Sequence, residues 1–126
     1  MIAYRAFTKR FGRHLAVDEL TLTVRAGETV ALLGPNGSGK TTSLKAAAGL
    51  IHASTGEVLV GEPGLRANEP AARQACSFLP QKVAFPEALS GREVVEFYRA
   101  IRGASGERTD EVLRFASLNG AGDRPV

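Results

Sequence analysis

Leu32 to Thr42 reads LLGPNGSGKTT. Within it, Gly34-Pro35-Asn36-Gly37-Ser38-Gly39-Lys40-Thr41 satisfies the spacing G-x-x-x-x-G-K-[ST], which arises by chance at this chain's residue frequencies with a probability of roughly half a per cent. The chemistry follows from the residue types. Glycines let the backbone curl until successive amide hydrogens converge on one anion, and a helix opening near Gly39 adds its positive end. Lys40 would reach the β and γ phosphates of a nucleotide, Thr41 would place its hydroxyl on magnesium, and Thr42 would touch the α phosphate. An accidental glycine-rich turn is the competing explanation, and the flanks argue against it: the motif requires a strand before and a helix after. Taken alone, it does not choose among kinases, GTPases and ATPases.

Both flanks fit. Thr29 to Leu33 (TVALL) is a short apolar run, the pattern of a strand covered on both faces. Beyond the loop, Leu44, Ala47, Ala48 and Ile51 recur at i, i+3, i+4 and i+7, which predicts a helix with one buried side. Upstream, Leu20, Leu22 and Val24 alternate with Thr21, Thr23 and Arg25 as in a half-buried strand, and Ile2 to Phe7 is a weaker strand that could pair with it. Downstream, Glu57 to Val60 predicts a strand, Asn68 a cap for a short helix with Pro70 in its first turn, and Ser77 to Leu79 a short buried strand. Ser90 with Glu93 at N3 predicts a capping box opening a helix through Ile101, with Val94, Tyr98 and Ile101 on one face and Gly103 ending it. Thr109 to Leu118 reads as a last helix, followed by a loop at Asn119-Gly120-Ala121-Gly122. Strands alternating with helices imply an α/β layered fold, preceded by a small antiparallel piece.

Composition sets the outer bounds. A chain of 126 residues, 44% hydrophobic, holds at most one globular domain or part of one. Sixteen basic against 13 acidic residues give +3, scattered without the clustered face of a nucleic-acid binder, so no nucleic-acid partner is expected. Cys76 is the only cysteine, which excludes an intrachain disulfide, and neither His14 nor His52 has a ligand cluster around it. The opening MIAYRAFTKRF has no apolar signal core, and no stretch approaches the roughly 18 apolar residues of a membrane span. Cytoplasmic placement is the expectation, unless something else holds the chain at a membrane.

Three features together closely resemble the ATP-binding cassette (ABC) ATPases: the loop variant GPNGSGKTT, the upstream KRFG (Lys9 to Gly12) followed by AVDELTLTVRAGE, and the downstream FLPQ (Phe78 to Gln81). The resemblance covers essentially the whole chain. It implies a partial phosphate-loop NTPase core over residues 1–84, with an N-terminal antiparallel β piece, and the beginning of a helical subdomain over residues 85–126. It further implies ATP and Mg2+ as ligands, Gly34 to Thr42 as the phosphate site, and Phe11 as the aromatic that stacks on adenine, since an aromatic face is a tolerant platform for a base. Lys40 and Gln81 carry over as catalytic positions. Gln81 falls at the glutamine that contacts magnesium and the attacking water, on a loop that moves against a membrane-spanning partner, so Thr41 and Gln81 are the metal-binding candidates. The expected partners are membrane-spanning transporter subunits and a second nucleotide-binding subunit meeting this one at the ATP sites, with the protein peripheral on the cytoplasmic face. The wording of Phe85 to Gly103 looks most like ABC-2-type exporters, especially the copper-processing ATPase of nitrous oxide reductase maturation.

Two lookalikes are rejected. Leu89-Ser90-Gly91 invites comparison with the family's LSGGQ signature, but Arg92-Glu93 replaces Gly-Gln and a helix cap explains the segment. Leu15-Ala16-Val17-Asp18-Glu19 mimics the Walker B strand, yet it precedes the phosphate loop instead of following it. After Thr42 the only aspartates are Asp110 and Asp123, and neither follows an apolar strand. The Walker B aspartate, catalytic glutamate, D-loop and switch histidine have no counterpart here. The expectation is an incomplete reading frame that retains binding groups, lacks hydrolysis groups, and is weakly stable and prone to aggregate on its own.

Overall fold

A computed structural model describes residues 1–83, 85, 88–118 and 122–123. The chain divides into two compact units, Met1–Leu79 and Pro80–Val126.

The first unit is built on a four-stranded antiparallel sheet. Its elements are β1 (Ile2–Phe11), β2 (His14–Val24), α1 (Lys40–Ala47), β3 (Thr55–Val60), β4 (Leu65–Arg66) and α2 (Pro70–Gln74), with the sheet ordered β2-β1-β3-β4. The β1–β2 hairpin pairs Ile2 with Val24 at one end and Phe11 with His14 at the other. The two predicted strands therefore exist, paired at the open end of the hairpin, and both run further toward its turn than the alternation indicates. Its ladder shifts register between Tyr4 and Phe7 and again before Lys9, and Ala6 and Glu19 take positive φ at 45° and 43°. Backbone amides released by these bulges are caught by threonine hydroxyls: Ala6 N donates to Thr21 Oγ1 at 3.1 Å, and Glu19 N to Thr8 Oγ1 at 2.9 Å.

The core lies between this sheet and α1. Tyr4, Phe7, Val58 and Val60 meet Ala46, Ala47, Ala67 and Ala72. Small residues on the helix allow close approach, and the buried Tyr4 hydroxyl donates to the Ser43 carbonyl at 2.9 Å, fixing where α1 sits on β1. Residues 43, 46 and 47 are the buried side of α1, and Leu44 is 48% exposed. The expected face holds at Ala47 and not at Leu44, and because α1 ends at Ala47 with Ala48 as its C-cap, Ile51 lies beyond the helix and outside its period. Glu69, not Asn68, occupies the N-cap of α2, with Pro70 in the first turn.

Thr29 to Leu33 and Ser77 to Leu79 are not strands. Both are apolar, but a strand is defined by ladder partners, and among the described residues none lies beside either segment. Leu33 is left 90% exposed and Leu79 85%.

The second unit contains α3 (Gly91–Arg102) and α4 (Glu107–Phe115). Ser90 caps α3 through a complete capping box, its Oγ accepting from Glu93 N while its own N–H and Oγ donate to Glu93 Oε2, both at 2.8 Å. Gly103 closes the helix in the left-handed conformation. Of the predicted α3 face only Val94 is buried; Tyr98 and Ile101 are 54% and 66% exposed. Arg92 donates to Asp110 at 2.8 Å and Asp123 at 2.9 Å, tying the start of α3 to α4 and the segment after it. Positions 119–121 of the predicted terminal loop lie outside the described residues. Among the described residues no helix is long and apolar enough to cross a membrane.

Candidate phosphate-binding site

The segment Gly34 to Gly39 leads directly into α1, whose N-cap is Gly39. The Ser38 amide donates to the Pro35 carbonyl at 3.3 Å, closing a tight turn through Gly37 at φ 86°. Gly39 also has positive φ, at 85°, and a Cβ there would lie 2.6 Å from the Ala16 carbonyl oxygen and 2.8 Å from Val17 Cγ2. Gly34, at φ 153°, is less tightly held, since a Cβ would meet Ser38 Oγ at 2.8 Å, the end of a side chain that can rotate away. Gly39 excludes a side chain by contact as well as by dihedral angle, which is why the sequence is glycine there.

The start of α1 is an open set of donors. The first-turn amides of a helix have no intrahelical acceptor. Here Gly39 supplies no side-chain cap and no acidic residue stands in the first turn. Lys40 folds back over the loop, its Nζ donating to the Gly34 carbonyl at 2.8 Å and the Pro35 carbonyl at 2.7 Å, with Ser38 Oγ at 3.4 Å. Among the described residues no carboxylate pairs with it. A full positive charge is therefore held by neutral dipoles beside unused amide donors, an electrostatic arrangement complementary to a polyanion.

Gly34, Pro35, Asn36, Gly37, Ser38, Gly39, Lys40, Thr41 and Thr42 are thus contiguous in one loop and helix start. Beside them lies a hollow of about 450 Å³ whose wall includes Leu15, Ala16, Val17 and Asp18 of β2 together with Ser38 and Lys40. This β2 wall was not legible in the sequence. The segment resembling a Walker B strand is an antiparallel strand paired with β1, and only folding brings it to the phosphate loop. Phe11 is in the same unit, at the tip of the β1–β2 hairpin and 50% exposed. Gln81 belongs to the second unit, in an exposed bend. Asp110 and Asp123 are engaged with Arg92.

A glycine-rich turn opening a helix that rests on a β-sheet defines the class: a phosphate-loop α/β domain. The sequence profile described as ABC transporter matches residues 17–126, and the chain belongs to that family. Over 127 residues it is 38% identical to the Fe(3+) ions import ATP-binding protein FbpC of Brucella suis biovar 1, covering 98% of this chain and 36% of that protein. Over 130 residues it is 38% identical to the Nod factor export ATP-binding protein I of Burkholderia lata, covering 99% and 42%. The chain spans well under half the length of these curated relatives. Among solved structures, the dimeric bacterial ABC transporter cassette MJ0796 superposes with a TM-score of 0.81 at 26% identity, covering 99% of this chain and 61% of that one. A post-hydrolysis form of the same cassette, bound to ADP and Pi, matches equally well. An ATP-binding subunit of an ABC transporter gives a TM-score of 0.83 at 24% identity, a likeness of fold, over 98% of this chain and 53% of that one.

Proposed function

We propose that residues 34–42 hold the triphosphate of ATP and that the chain is the nucleotide-binding part of a subunit coupling ATP binding and hydrolysis to transport across a membrane. The observation that carries this is Lys40, whose ammonium rests on loop carbonyls beside the uncapped amides of α1. A phosphate would take over those donors, and the lysine would exchange carbonyl acceptors for charged oxygens. Phe11 is the platform for the base. Thr41 offers a neutral hydroxyl oxygen of the kind Mg2+ accepts alongside phosphate oxygens, and the ion would offset charge on the phosphates. The partners on this account are membrane-spanning subunits and a second nucleotide-binding subunit, which place the protein on the cytoplasmic face of the membrane. The curated relatives include an importer and an exporter by name.

The test is a calorimetric titration with magnesium-ATP. Lys40→Ala removes a charge-assisted hydrogen-bond donor and should weaken binding by about 10- to 150-fold. Equal affinity in the two proteins would defeat the proposal.

A second reading is favoured by one observation: both aspartates after Thr42 are engaged with Arg92 on the second unit. On this reading the loop holds nucleotide without turning it over, since phosphoryl transfer needs a positioned water and stabilised charge, which carboxylates tied to Arg92 do not supply. Binding without measurable phosphate release supports that reading, and steady release abolished by Lys40→Ala overturns it.

A further inference from the structure

The ring of Phe11 has company that its proposed role does not explain. Lys9 Nζ lies 5.0 Å from the ring centroid, over one face, while the residue stays 50% exposed. Lys9 pairs with Val17 and Phe11 with His14 near the tip of the hairpin, so both side chains are set by the same stretch of β1. Among the described residues no carboxylate pairs with Lys9, and the ring is the partner its ammonium has.

We infer that Lys9 is a positioning residue for the nucleobase: its ammonium caps one face of Phe11 and prepares the opposite face to stack on a purine. Two physical effects act in the same direction. The cation is drawn to the ring quadrupole and pulls π density toward itself, which lowers repulsion between the opposite face and the π cloud of a base. It also fixes the ring before binding, so less side-chain freedom is lost when the base arrives. The inference rests on the proposal that Phe11 carries the base, and it adds a determinant of base affinity that lies outside the phosphate loop.

The experiment compares magnesium-ATP with inorganic tripolyphosphate, which has the phosphates and no base, as ligands of the 126-residue chain and its Lys9→Met, Lys9→Arg and Phe11→Ala variants. Lys9→Met should weaken ATP binding about two- to fivefold, the size of an exposed cation–π interaction, and leave tripolyphosphate affinity unchanged. Lys9→Arg should restore ATP binding, and Lys9→Met should add nothing on a Phe11→Ala background. Tripolyphosphate binding also shows that each variant keeps its loop folded. If Phe11→Ala weakens ATP but Lys9→Met does not, or tightens it, the inference is overturned with the platform intact. Equal weakening of both ligands by Lys9→Met overturns it as well, since Lys9 then acts as a general positive charge. If Phe11→Ala binds ATP as wild type does, the platform itself fails and the inference falls with it.

Discussion

Gly39 sits where a side chain has no room. Its left-handed backbone alone costs a non-glycine residue about 1–2 kcal/mol, and contact with the Ala16 carbonyl adds to that. Gly39→Ala should therefore displace the loop from β2 and lower tripolyphosphate affinity; an unchanged affinity would mean that the loop does not depend on this packing. The identity of Gly39 was legible from spacing, but its reason was not, because Ala16 and Val17 reach it only through the fold. Tyr4 is the other residue whose role needed the structure. Burial, with a smaller effect from Cys76, pushes its phenol up from 10.0 to about 12. The folded pKa is the higher one, so the stability it reflects is complete below pH 10 and is lost as pH rises through about 12. Unfolding measured between those values should show this loss in the wild type and not in Tyr4→Phe. That variant should also lose about 0.5–1.5 kcal/mol at neutral pH with its hydrogen bond to Ser43.

At the scale of elements, the features readable in advance are the locally determined ones. Ser90 and Glu93 announce a helix start because the capping box closes within four residues, and the structure contains both halves of it. Hydrogen bonds from the Ser90 amide and hydroxyl hold the Glu93 carboxyl below its ordinary range. With the folded pKa depressed, this stabilisation is present above the ordinary glutamate pKa and lost as pH falls through the folded one. Ser90→Ala should destabilise α3 by about 1 kcal/mol, read as faster amide exchange in its first turn. Unchanged exchange would show that the cap is not limiting. Thr29 to Leu33 teaches the opposite lesson. Its apolar run predicts a strand, yet strand formation is a property of a pair, and no described neighbour completes it. The face of α1 failed for a related reason: periodicity locates a buried side only within the helix, and the sheet chose Ser43, Ala46 and Ala47.

For the whole molecule, the family was legible and the solvent exposure was not. Motif order along the chain pointed to the ABC transporter family, and the matching profile spans residues 17–126. Val30, Leu33 and Leu79, read as strand residues, are instead 46%, 90% and 85% exposed. Apolar side chains open to solvent on unpaired backbone favour association. The chain alone should bind a hydrophobic dye and aggregate on warming, whereas a cooperative melt of a dye-free monomer would contradict this. The central claim concerns the amides that converge at the start of α1, and nuclear magnetic resonance observes them individually. On addition of magnesium-ATP, backbone amide signals of Gly37 to Thr42 should shift together and saturate, with Lys40→Ala suppressing the response. Shifts confined to other parts of the chain, or none at millimolar nucleotide, would contradict the account.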